Sequence, residues 1–131
     1  MRAVQPWKNF IEVIMTVLNL AAQTPFVTKD GSVIRSILDL ANAPVRQQSL
    51  AEATVPRGAS TQRHYHRMSE EFYFILEGSG RMEIDGEMRN VGEGDAILIP
   101  AGSWHTIIAG EPLRFLCCCA PPYSHGDTYF E

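Results

Sequence analysis

The stretch 58–78 constrains this chain more than any other. In RGASTQRHYHRMSEEFYFILEG, which begins at Arg57, His64 and His66 stand two apart and adjacent carboxylates follow at Glu70 and Glu71. Residues 72–76 then read as strand up to Gly78. Residues two apart on a strand share a face, so an extended 64–66 points both imidazoles the same way. A carboxylate four or five positions later can return on the neighbouring strand to meet them. Downstream, GDAILIPAGSWH places a short apolar strand and a Pro/Gly turn ahead of His105. Three histidines and a carboxylate carried on strands suit Fe, Mn, Zn, Ni or Cu better than Ca or Mg.

The rest of the chain reads as short strands and turns. A first barrel strand is expected over 48–55, with Pro56-Arg57-Gly58 turning into the histidine strand. Strands over 81–84 and 87–91 flank Asp85-Gly86, a strong hairpin signal. Glu93-Gly94-Asp95 turns into 96–99, and the last strands, 104–109 and 113–120, are split by Gly110-Glu111-Pro112. Many short strands with almost no helix argue an antiparallel barrel or jelly roll. Residues 32–41 stay open between readings. Ser32 can cap a helix with Ile34, Ile37, Leu38 and Ala41 on one face, while VIRSIL serves equally as a strand. The tail 121–131 is expected as an irregular or edge strand on the barrel.

The residues quoted resemble the cupin family. Its first motif reads G, five residues, H-x-H, three or four residues, E, six residues, G, and Gly58, His64, His66, Glu71 and Gly78 fit it. The second reads G, five residues, P-x-G, two residues, H, three residues, N; Gly94, Pro100, Gly102 and His105 fit, with Ala109 where the motif has Asn. That departure removes a supporting polar side chain but no ligand. The resemblance spans roughly residues 48–120. It implies an all-β fold, a small antiparallel β-barrel or double-stranded β-helix, with a short N-terminal extension. On this reading 1–27 is the extension, a candidate dimer arm, and 28–131 is one barrel domain with its motifs at 58–78 and 94–109.

The implied ligands of one divalent transition metal, Fe, Mn, Zn or Ni, are His64, His66, Glu71 and His105. Glu70 is the runner-up to Glu71, since the motif spacing to Gly78 favours Glu71 and the two point to opposite faces of a strand. Tyr73 and Ile75 alternate with Glu71 and are expected to line the pocket, together with Ile97, Ile107 and Gln62. Gln62 and Tyr65 are also candidates for the mouth or for holding the ligands from behind, and Trp104 for rim packing. Cys117, Cys119 and, on the opposite face, Cys118 read as small buried hydrophobes.

At 131 residues and 45% hydrophobic content the chain can bury one core. Its net charge of -4 offers no basic face, which disfavours nucleic acid. Three consecutive cysteines are a reduced, cytoplasmic style of usage. The apolar run 10–22 is too short to span a bilayer and is expected as a strand or short helix packed on the barrel or on a second subunit. Met15 is an alternative start. The resemblance implies a homodimer and a metal-dependent enzyme acting on a small oxygenated organic molecule, dioxygenase-like or sugar isomerase-like. A mannose-6-phosphate isomerase-like label lacks a phosphate clamp, because Arg63, Arg67, Arg81, Arg89 and Arg114 are scattered. The alternatives are a non-catalytic module binding metal and a small ligand, and a structural barrel with a vestigial site.

Overall fold

Two antiparallel sheets face each other across an apolar interior. The structure, a computed structural model, describes residues 15–131; the first part of the expected N-terminal arm, 1–14, lies outside the described residues. The strands are β1 (Phe26–Val27), β2 (Val33–Leu38), β3 (Ser49–Val55), β4 (His64–His66), β5 (Glu70–Glu77), β6 (Ser79–Ile84), β7 (Glu87–Gly92), β8 (Ala96–Ile99), β9 (His105–Ala109), β10 (Leu113–Ala120) and β11 (Thr128–Phe130). One sheet has the order β1-β2-β3-β10-β5-β8 and the other β11-β4-β9-β6-β7. Single 3-10 turns at Leu20–Ala22 and His125–Asp127 are the helical elements among the described residues, and none is long and apolar enough to cross a membrane.

The period-two pattern of β5 and β10 explains the interior. Tyr73 and Ile75 of β5, Leu113 and Phe115 of β10, and Ala53 and Val55 of β3 meet Met82, Ile107 and Ala109 from the facing sheet. Ile75 and Ile107 are completely buried, each contributing about 1.5–3 kcal/mol by burial. The alternate residues of β5, Phe72 and Phe74, are half-exposed on the outer face, as is Leu98 of β8. On that same outer face Glu52 is buried between Arg35 and Arg114, with N–O distances of 2.7 and 3.1 Å. Full pairing offsets the cost of removing its charge from water.

Residues 33–38 resolve the open reading as a strand, paired with β3. The Ser32 hydroxyl and amide both donate to Asp30 Oδ1, at 2.5 and 2.9 Å. A side chain used to close this turn is not free to cap a helix, and the β-branched Val33, Ile34 and Ile37 favour the sheet. The Asp85-Gly86 hairpin forms as expected, both residues having positive φ, 47° and 86°. The tail supplies β11, an edge strand on β4.

Gly78 turns β5 into β6 at φ +88°, where a Cβ would lie 2.0 Å from the Pro112 carbonyl oxygen. Gly94 has a similar φ of +86° but open space around it. Gly94→Ala is therefore expected to cost about 1–2 kcal/mol from backbone strain alone, and Gly78→Ala about 4 kcal/mol or more. Urea denaturation of both variants reads the difference; equal losses would show that the Pro112 carbonyl gives way freely.

Candidate metal centre

The two sheets each contribute to one buried cluster. His64 and His66 lie on β4, and His105 on β9 directly opposite His64 in register. Glu71 does not return on a neighbouring strand of that sheet, as the spacing suggested. It stands on β5 of the facing sheet, so the chain crosses between sheets over residues 67–69. The tail holds this crossing in place: the Asp127 carboxylate accepts from the Met68 and Ser69 amides at 2.9 and 3.1 Å. The Ser69 hydroxyl donates to the Pro121 carbonyl at 2.8 Å.

One ligand-type atom from each of His64, His66, Glu71 and His105 lies within 4.8 Å of the others, and all four residues are buried. Each histidine has its Nδ1 held from outside the cluster. His64 Nδ1 is 2.7 Å from the Gln62 carbonyl oxygen, and His105 Nδ1 is 2.9 Å from that of Ser103. His66 Nδ1 is 3.1 Å from Thr128 Oγ1, whose own hydrogen goes to the Ser124 carbonyl at 3.0 Å. Carbonyl acceptors and a hydroxyl already donating elsewhere require the proton on Nδ1. Every Nε2 is then a lone pair turned inward.

Glu71 Oε1 sits among them, 3.2 Å from His66 Nε2 and 3.3 Å from His105 Nε2. Neither contact has hydrogen-bond geometry, and Glu71 Oε1 and His105 Nε2 are buried without a partner. Orphaned acceptors facing one another at this depth demand a positive charge between them. A transition-metal ion meets that demand with the donor types it prefers.

Burial raises the Glu71 carboxyl, while His105 and His66 in their protonated form donate to it and hold it well below the usual carboxylate range; with the rings neutral, a bound cation would take over that role. Burial, assisted by His105, pushes His64 below its ordinary value. Both shifts leave the groups in their ligating forms at neutral pH. The opposite holds for the neighbouring thiols: burial and then the Glu71 charge push Cys119 and Cys117 up, so their protons stay. Burial and Glu71 likewise raise Tyr73 far above its ordinary value.

A cavity of about 140 Å³ opens from the cluster between β2, β3 and β10, its walls including Phe26, Ile34, Ala53, Tyr73, Phe115 and Tyr123. Of the expected lining residues only Tyr73 stands there. Gln62 is exposed and serves the site through its main-chain carbonyl. Ile75 and Ile107 are completely buried core residues, and Ile97, half-buried, packs against that core. Alternation along each strand was read correctly; what displaced these residues is that the cavity lies toward β2, β3 and β10 rather than along β8 and β9. Glu70 is exposed, on the face of β5 opposite to Glu71. Tyr65 packs between Trp104 and Tyr129, ring centroids 4.7 and 5.1 Å away, outside the cavity.

Residues 51–119 match the Cupin domain family. The chain belongs to the cupin family. This cupin is 51% identical over 106 residues to an uncharacterized protein of Methanocaldococcus jannaschii, covering 79% of this chain and 85% of that protein. It is 37% identical over 82 residues to the dimethylsulfoniopropionate lyase DddW of Ruegeria pomeroyi, covering 62% of this chain and 53% of the lyase. The solved structure of the polyketide cyclase RemF from Streptomyces resistomycificus superposes with a TM-score of 0.71 at 26% identity, covering 82% of this chain and 80% of that one.

Thr128, Asp127 and Cys119 support the cluster without having been legible as site residues. The first two lie in a tail with no motif. Cys119 becomes visible only once β10 is known to pair with β5.

Removing one imidazole leaves three ligands and an uncompensated carboxylate. His66→Ala and His105→Ala are each expected to lower metal affinity at least about 100-fold while far-UV circular dichroism keeps its β signature. Glu71→Gln should weaken binding well beyond Glu70→Gln, and the reverse order in a competition titration would contradict the ligand assignment.

Proposed function

We propose that this cupin is a metal-dependent enzyme acting on a small, oxygenated, non-phosphorylated organic molecule. The observation that carries the reading is the orphaned, inward-facing donor set in the wall of a largely apolar cavity. His64, His66, His105 and Glu71 would hold the ion. Once bound, a divalent transition metal supplies Lewis-acid polarisation of a substrate oxygen, or oxygen activation if it is iron.

The remaining roles belong to the chain's own groups. The aromatic and aliphatic walls exclude water and accept an apolar body, and the Tyr73 hydroxyl, kept protonated, can donate to a substrate oxygen. The charged side chains lining the cavity are Asp30, Asp39 and Glu71, and among the described residues no Lys or Arg lines it. Lys29 sits over the Phe130 ring at 5.7 Å without entering the lining. Apart from the ion itself, a phosphate would meet carboxylates and no cationic side chain, which argues against a sugar phosphate. Enzyme names borne by two relatives, a lyase and a cyclase, accord with catalysis in this family. The proposal retains the homodimer, for which the half-exposed Phe72, Phe74 and Leu98 on the outer sheet face offer a surface.

Turnover assays on the metal-loaded protein test this, with a panel of catechols, diketones, thiols and hydroxy-carbonyl compounds set beside mannose 6-phosphate. Activity is expected on an uncharged panel member and is expected to vanish in His105→Ala. Preferential turnover of the sugar phosphate would overturn the substrate class; tight binding across the panel without turnover would replace the enzyme by a ligand-binding module.

A further inference from the structure

Cys119 reads as a small buried hydrophobe, yet its place in the sheet gives it a polar task. β10 runs beside β5 with Cys119 directly opposite Glu71, and the thiol Sγ lies 3.1 Å from Glu71 Oε2. The residue is 3% exposed, so no water competes freely for that oxygen. The two oxygens of this carboxylate therefore have separate surroundings. Oε1 faces His66 and His105 and lacks a hydrogen bond, while Oε2 accepts from the thiol.

We propose that Cys119 is the positioning residue of the metal centre, its S–H donating to Glu71 Oε2 so that Oε1 alone is presented to the ion. A thiol is a weak donor to a neutral acceptor, but an ionised acceptor in a low-dielectric interior strengthens the bond. With Oε2 engaged, the carboxylate is restrained to one-oxygen ligation and its rotation about the terminal torsion is stopped. Positions around the ion that a chelating carboxylate would fill then stay available to substrate. Cys117 occupies the same strand face and lines the cavity, but Cys119 is the one that reaches the carboxylate. The inference rests on the four-residue cluster being a metal centre.

The test uses the full chain and two readouts. Zinc and manganese dissociation constants are measured by competition for wild type, Cys119→Ser, Cys119→Ala and Cys119→Val. Serine keeps a donor, alanine removes it, and valine removes it while keeping the volume filled. Alanine and valine are expected to weaken both metals about 10- to 100-fold, and serine to stay within about threefold of wild type. The infrared S–H stretching band, isolated as the difference between wild type and Cys119→Ser, supplies a readout that needs no metal. It is expected at a lower frequency than the bands of Cys117 and Cys118, and to rise in Glu71→Gln. Valine binding as tightly as wild type, or serine as weakly as alanine, would overturn the proposal by reducing Cys119 to packing. An S–H band indifferent to Glu71→Gln would overturn it as well. Wild type that binds neither metal would instead remove the metal-centre reading, and the proposal with it, even where the S–H band reports a bond to Glu71.

Discussion

Three imidazole lone pairs and one carboxylate oxygen, turned toward one another in a buried place, set the terms for the rest of this molecule. Such an arrangement is unfavourable unless positive charge sits within it. It persists because each group is held from behind. The Gln62 and Ser103 carbonyls and Thr128 fix the three histidine rings, and Cys119 takes the second oxygen of Glu71. These supports come from the loops that lead into β4 and β9, from the tail and from β10. The site is therefore a property of the assembled sandwich rather than of one hairpin.

The architecture separates two duties that share a few residues. Ile75, Ile99, Ile107, Leu113 and Val55 fill the interior and do not line the cavity beside the cluster, whereas Ala53, Tyr73 and Phe115 serve both core and cavity. Alternation along β5 accomplishes this in a single strand: Glu71 reaches the cluster, Tyr73 the cavity and Ile75 the core. The same alternation pushes Phe72 and Phe74 outward, which is why an apolar outer face accompanies a well-packed inner one.

Much of this was legible in residue spacing. The shared face of the H-x-H pair and the hairpin at Asp85-Gly86 follow from strand periodicity and turn chemistry, whereas the choice of Glu71 over Glu70 and the weight of His105 came from the spacing of the cupin motifs. What spacing could not convey was which sheet each strand joins. Glu71 was expected on a strand beside the histidines and stands across from them, because 67–69 is pinned by Asp127 from the far end of the chain. Gln62 was expected at the mouth of the site or behind its ligands, and it stands behind His64 through its main-chain carbonyl. Ile75, Ile97 and Ile107 were assigned to the pocket by alternation alone; that rule gives a face, while position along the sandwich decides between cavity and core. The strand 33–38 lost its ambiguity through the long-range pairing with β3, which the Ser32–Asp30 turn leads into.

The most direct test of the whole account is elemental analysis of the protein isolated without an affinity tag, repeated after chelation and reloading. One equivalent of a single divalent transition metal per chain, removed by chelator and restored on reloading, is the predicted result. Protein that carries no metal and takes up none on reloading would contradict it, showing that the four donors do not form a centre for an ion.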